Sequence, residues 1–283
     1  MKTLTPDQVS IAEFHSYLLA SVAPRPIALA STVDSEGNVN LSPFSFFNVF
    51  GSHPPTLVFS PNRRVRDGSG KDTLANVLDV PEVVIHAVDY SMVEQVSLSS
   101  CEYPKGTNEF IKAGFTSEES LKVRPPRVRE AKAAFECAVK DVITLGEGGG
   151  APNLVICEVL ALHVAEDILN AEGKVDTERT DWVARMGGDW YCRASAEARF
   201  LVPKPNRDLG VGVDALPASL RSSDLLSGNE KGRLGNVHTL PSPEEVAQFR
   251  SESEHLPELS DIKTLLERGE VERAWMAILA REA

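Results

Sequence analysis

Cysteine is sparse and unpaired in this sequence. Cys101, Cys137, Cys157 and Cys192 form no C-x-x-C pair and have no histidine at metal-ligand spacing, which argues against a zinc ribbon or a disulfide framework and leaves free thiols. Long apolar runs are missing too. No stretch approaches the roughly 20 apolar residues of a membrane span, and Glu13, His15 and Ser16 interrupt the N-terminal segment before a secretion-signal core can form. A cytoplasmic protein with no membrane partner is expected. Cations are outnumbered, 29 Lys and Arg against 41 Asp and Glu, for a net charge of -12. Affinity for phosphate backbones comes from clustered cations, so no nucleic-acid partner is expected and any anion site must be local. Also absent are a G-x-G-x-x-G after a strand, an H-E-x-x-H or carboxylate cluster for a metal, and a G-x-S-x-G elbow. Rossmann, metalloprotease and hydrolase readings lose their support with them.

What is present is an ordinary globular composition, 42% hydrophobic and 25% charged over 283 residues, enough for one large domain or a domain with an appendage. From Ile27 to about Lys204, short β-branched runs alternate with turn residues, as in a barrel or sandwich. The strands expected are Ile27–Val33, Asn38–Ser42, Thr56–Ser60, Glu82–Val88, Ala134–Val142 and Leu154–Val164. Asp34-Ser35-Glu36-Gly37 joins the first two as a hairpin, its glycine supplying a positive φ. Asp72–Asp79 and Ser91–Leu98 read as short helices, the second capped by Ser91. Gly148–Gly150 precedes Ala151-Pro152-Asn153 and reads as a turn.

After Lys204 the pattern changes. From Asn206 to Gly235 the chain is rich in Asp, Ser, Gly and Arg without periodicity, a connecting segment. Helical signals follow at Pro243-Glu244-Glu245 and after a Ser260 cap, and Val271, Trp275, Ile278 and Leu279 share one helical face. Two parts are expected: residues 1–205, and a linker with a helical C-terminal extension over 206–283. The tail must pack against the barrel or a partner subunit.

Three stretches carry candidate chemistry. Asn40-Leu41-Ser42-Pro43-Phe44-Ser45-Phe46-Phe47-Asn48 ends a strand in small hydroxyl residues beside aromatics; such a loop can offer N–H groups to a phosphate while Phe walls hold a planar ring. The competing reading is a strand whose Phe side chains fill a core. Arg63, Arg64 and Arg66 precede Gly68-Ser69-Gly70-Lys71-Asp72-Thr73, which opens a helix with Asp72 as its cap; free N–H groups, Lys71 and the Thr73 hydroxyl suit an anion. A solvated basic loop with an ordinary cap is the alternative. Pro24-Arg25-Pro26 presents Arg25 from a stiff backbone.

In order, PRPIALAST, DSEGNVNLSPFSFFN, HPPTLVFSPNRR, KDT at a helix start and EVVIHAVD, followed by NEFIKAGFT, FECAV, EVLALHV and ARMGGDWY, the chain resembles the flavin reductase-like, FMN-binding split-barrel family from about Tyr17 to Lys204, the flavoredoxin-like sub-group most of all. The resemblance implies a mainly β fold, an FMN-binding split β-barrel with short peripheral helices. It places FMN phosphate around Ser42, Ser45, Lys71 and Thr73, and the isoalloxazine against Asn40, Pro43 and Phe46, with Arg25 and Asp72 in the same cradle. It implies a homodimer in which Arg185, Gly187 and Tyr191 close the site from either chain. It also puts His163 near the nicotinamide of NADH or NADPH, against an even alternative of a strand histidine facing solvent or a carbonyl. His53 and His86 are weaker candidates, and His15, His238 and His255 carry no case. The activity implied is NAD(P)H-dependent flavin reduction, with a monooxygenase as a partner. The alternatives are an FMN electron carrier without direct nicotinamide use, and an FMN-dependent oxygenase acting on its own substrate.

Overall fold

The computed structural model describes residues 1–205, 208–253, 255 and 257–282. The chain forms two compact units, Met1–Arg199 and Phe200–Ala283. Asn206, where the sequence reading begins the connecting segment, lies outside the described residues.

The first unit carries twelve strands: β1 (Arg25–Pro26), β2 (Ala28–Val33), β3 (Val39–Phe44), β4 (Phe47–Ser52), β5 (Pro55–Phe59), β6 (Glu82–Ala87), β7 (Ser117–Glu118), β8 (Arg127–Val128), β9 (Ala133–Thr144), β10 (Asn153–Val164), β11 (Val183–Arg185) and β12 (Tyr191–Arg193). Its helices are α1 (Ile11–Ser21), α2 (Asp72–Asp79), α3 (Val93–Ser99) and α4 (Glu109–Ala113). Seven strands pair antiparallel in the order β3-β2-β6-β9-β10-β5-β4, and β1-β11-β12 form a small separate sheet. β2 is buried along its whole length, and its period-2 alternation feeds two cores. Ala28 and Ala30 face Phe44, Leu57, Phe59, Ile85 and Val155, with Leu74 and Val77 of α2 closing that side. Ile27 and Leu29 face Leu41, Met92, Val96 and Phe110. Each fully buried Leu or Phe contributes about 1.5–3 kcal/mol.

The sheet fits the expected split barrel only in part, because hydrogen bonds do not close it into a barrel. β3 and β4 are its two edges and do not pair with each other, yet only Ser45 and Phe46 join them. Three Cα steps reach no more than about 11 Å, so the sheet curls until its edges meet at that corner and diverge beyond it. Phe44 and Phe59 pack inside the curl with ring centroids 5.4 Å apart.

Several local expectations change. The stretch after Phe44 is an edge strand rather than a loop, with a register shift between Val49 and Gly51. Helix α1 was not expected. Asp72 is the first residue of α2 and not its cap: Lys71 holds the extended N-cap conformation without a side-chain cap bond, so Asp72 acts through its charge in the first turn. Ser91 is likewise capped rather than capping, because Asp89 accepts its backbone N–H at 2.8 Å at the head of a short 3-10 turn before α3. The Asp34–Gly37 hairpin forms, with Gly37 at φ 89°. Gly148–Gly150 turns between β9 and β10, and a Cβ on Gly149 would stand 2.5 Å from the Val65 carbonyl oxygen.

The second unit is helical: α5 (Ala218–Arg221), α6 (Gly228–Gly235), α7 (Pro243–Glu252), α8 (Leu259–Glu267) and α9 (Val271–Glu282). Together with α1 it makes the chain less dominantly β than expected. Ser227 with Glu230 and Ser242 with Glu245 form capping boxes. α8 is capped by Glu258 with Asp261, not by Ser260. Trp275 is 0% exposed, and its Nε1–H donates to the Leu234 carbonyl at 2.9 Å. Leu234, Ile262, Leu266 and Ile278 complete this core. The tail's apolar face is therefore covered within its own unit, where the sequence suggested the barrel or a partner.

Candidate functional site

A cavity of about 780 Å³ opens in the first unit between α1, the β3–β4 link and the turn before β10. Its walls are Phe14, His15, Leu18 and Leu19 of α1, then Phe46, Ser60, Asn62 and Arg63, then Gly149, Gly150 and Pro152, with Arg25 beside them. Among the described residues, no Asp or Glu lines it. In a chain of charge -12, that exclusion makes a local setting suited to an anion.

Arg25 is built into this wall rather than presented freely. Only 6% of it is exposed. Its Nη1 donates to the Leu19 carbonyl and, at 2.6 Å, to that of Val22 at the end of α1, while Nη2 donates to the Met186 carbonyl at 2.8 Å. Carbonyl dipoles at a helix C-terminus stabilise such a cation. Burial, and then the Arg185 charge, lower its pKa from the ordinary arginine value. Among the described residues, its buried Nε–H has no hydrogen-bond partner.

Arg63 sits in the opposite wall. Its Nη1 donates to the Gly68 carbonyl at 3.1 Å, its backbone pairs with Gly150 and Ala151, and its buried Nε–H is also unpartnered. Asn62 is oriented by the Ser60 hydroxyl, which donates to Asn62 Oδ1 at 2.7 Å. The two arginines bring positive charge to the lining, and guanidinium groups pair well with anions.

The residues singled out in the sequence divide between places. Arg25 and Phe46 line this cavity, and Ser45 is half-buried beside Phe46. Asn40 and Asp72 instead line a second, acidic cavity of about 470 Å³ with Asp34, Asn76 and Glu109. There Asn40 Nδ2 donates to Thr73 Oγ1 at 2.8 Å and Thr32 Oγ1 at 3.3 Å. Thr73 is buried in this cluster, which ties the start of α2 to β2 and β3. Glu109 accepts the Leu41 N–H at 2.9 Å, and burial raises its pKa. Ser42 and Pro43 lie in β3 opposite Ala30 and Leu29. Lys71 is half-buried; burial, then Arg64, lower its pKa, against Glu102 and Asp72.

Arg185, Gly187 and Tyr191 belong to the β11–β12 hairpin, outside the cavity lining. Arg185 stacks at 4.6 Å over Tyr191 and lies 3.8 Å from Asp189. Gly187 packs on Ala20 of α1 so closely that a Cβ there would come within 3.1 Å. His163 lines neither cavity. Its Nε2 is 2.6 Å from Glu136, a fully buried carboxylate that also accepts the N–H groups of Leu121 at 2.8 Å and Lys122 at 2.5 Å. Burial raises the Glu136 pKa, but these hydrogen bonds outweigh it and the net shift is downward. His86 is a core residue: Nδ1–H donates to the Leu29 carbonyl and Nε2 accepts from Val128 N–H, fixing the neutral tautomer, and burial pushes its pKa down to about 4. Sequence reasoning set His15 aside. The signal that recovers it is the helical spacing of Ile11, Phe14, Leu18 and Val22 after the Ser10 cap.

A family model described as "Flavin reductase like domain" matches residues 20–179. Nitrilotriacetate monooxygenase component B of Bacillus cereus is 30% identical, with a TM-score of 0.66 over 71% of this chain and 98% of that one. The 2-nitrobenzoate 2-nitroreductase of Pseudomonas fluorescens is 28% identical, with a TM-score of 0.63 over 71% and 96%. A split-barrel domain protein of Shewanella frigidimarina, 23% identical, shares the fold with a TM-score of 0.60 over 72% and 100%. The matched segment runs from the end of α1 through β10 and so takes in the whole curled sheet; on that extent of agreement, this chain belongs to the flavin reductase-like family.

Proposed function

We propose that this protein binds FMN in the 780 Å³ cavity and uses NADH or NADPH to reduce flavin. The observation that carries the reading is a largely apolar cavity lined, among the described residues, by two arginines, Arg25 and Arg63, and by no carboxylate. Phe46 supplies the ring-facing wall. Arg63 is the proposed phosphate-side cation of the cavity lining; Ser42, Ser45 and Lys71 lie outside that lining and are assigned to the phosphate by the family resemblance alone. The Asn40–Thr73 hydrogen bond ties β3, which carries Pro43, to the start of α2, which carries Asp72. When bound, FMN supplies hydride and electron transfer chemistry. The chain's part is to orient the ring, exclude water through α1 and place positive charge where an anion must sit.

A monooxygenase partner taking reduced flavin is the role that the name of the Bacillus cereus relative supports. A second reading, reduction of a small aromatic substrate in the same cavity, is favoured by its apolar lining and by the name of the Pseudomonas fluorescens relative. The exposed Val49 and Phe50 on the β4 edge, Phe50 at 68%, suit a homodimer contact. Arg185, Gly187, Tyr191 and the His163–Glu136 pair then belong to the part of the site that two copies and the nicotinamide complete.

The test is reconstitution with FMN followed by rapid mixing with NADH and NADPH. Loss of the oxidised-flavin band is expected with at least one. FMN uptake without bleaching by either makes the protein an electron carrier, and failure to take up FMN ends the reading.

A further inference from the structure

Helix α1 turns its apolar face toward a void. Ile11, Phe14, His15, Leu18 and Val22 recur at i, i+3, i+4, i+7 and i+11 and line the cavity, while no residue of the helix is buried. A helix held by core packing would bury that stripe. This one is held by the Arg25 guanidinium on its last carbonyls, which fixes the position of the turn carrying His15. His15 is the one side chain on the stripe that can hydrogen-bond. Its ring lies 6.2 Å from that of Phe46, tilted by 52°, and among the described residues nothing is hydrogen-bonded to it. The charged side chains that line the same cavity are Arg25 and Arg63.

We propose that His15 is a ligand-contacting residue, lying beside Phe46 over the edge of the bound flavin ring and hydrogen-bonding a polar atom of that edge. The inference rests on the flavin reading of the cavity. The occupant is argued from complementarity: an aromatic and aliphatic wall for a planar ring, two cations and no carboxylate for its anionic tail, and one hydrogen-bonding group at the ring's rim. His15 thus makes α1 part of the binding site as well as its cover.

The experiment uses the full chain with His15→Ala, His15→Phe and His15→Gln, titrated with FMN by fluorescence and followed by the visible circular dichroism of the bound flavin. All three variants should melt close to the parent, because no residue of α1 is fully buried and His15 lines a cavity rather than a core. His15→Ala and His15→Phe should weaken FMN binding about 5- to 10-fold, as expected for one lost hydrogen bond, and change the visible signal. His15→Gln should restore affinity to within about 2-fold. Parent-like affinity and spectrum in all three, or equal behaviour of Phe and Gln, would overturn the proposal while leaving flavin binding intact. No FMN uptake by the parent would overturn both.

Discussion

At the scale of single residues, Arg25 shows how a sequence signal and its structural use diverge. The Pro24-Arg25-Pro26 motif drew notice as a stiff presenter of a cation, and Arg25 does line the cavity. Its planar fork is nevertheless occupied by three carbonyls, so it anchors α1 to the Met186 hairpin. Lysine keeps the charge but lacks the fork. Arg25→Lys should therefore destabilise the first unit by roughly 2–4 kcal/mol, by stranding buried carbonyls, and should weaken FMN binding as α1 loosens; thermal melts and FMN titration check both. His86 makes a different prediction. Its folded pKa of about 4 lies below the ordinary histidine value of 6.5, so between those values the unfolded chain binds a proton that the native one refuses. Stability is then full above pH 6.5 and falls as pH drops toward 4, by ~3 kcal/mol over the whole window. Urea midpoints at pH 7 and pH 5 should show the decline, and His86→Gln should flatten it. An equal slope in the variant would assign the loss to other groups. From sequence, His86 was recognisable only as a histidine in an apolar strand, because its two partners come from Leu29 and Val128, 57 and 42 residues away.

At the scale of elements, the central strands were legible to within a residue or two, since β2, β6, β9 and β10 bury enough side chains to impress their pattern on the sequence. The edge strand β4 was not. Asn48, Val49 and Phe50 are all exposed, so burial imposes no alternation there, and the register shift at Val49–Gly51 blurs what is left. Helix α1 does leave a pattern, the apolar spacing of Ile11, Phe14, Leu18 and Val22 after Ser10, but such a stripe does not say whether a core or a cavity lies under it. The basic loop at Arg63–Arg66 was visible as charge, but not what holds it. That is the glycine turn, where Gly149 lies against the Val65 backbone. Gly149→Ala forces this contact apart, because backbone atoms cannot yield as a side-chain tip does. A cost of about 1–3 kcal/mol is expected, together with weaker FMN binding as Arg63 shifts. A melt unchanged from the parent would mean that the turn relaxes freely and does not set the position of Arg63.

At the scale of the whole molecule, the family match and the structural neighbours account for the first unit and stop there: the Bacillus cereus protein is covered over 98% of its length while spanning 71% of this chain. The remaining helices bury Trp275, Ile262 and Leu266 among themselves, the condition for a unit that folds on its own. Composition changes near Lys204, but the self-contained packing leaves no mark in it, since an amphipathic helix does not say which surface covers it. The cavity, its two guanidinium groups and His15 all lie before Arg199. Residues 1–205 alone should therefore take up FMN with affinity within about 2-fold of the full chain and melt cooperatively. If the truncated protein folds, by circular dichroism and melting, yet binds FMN more than about tenfold more weakly, the helical unit contributes to the site, and the cavity of the first unit is not sufficient for the cofactor.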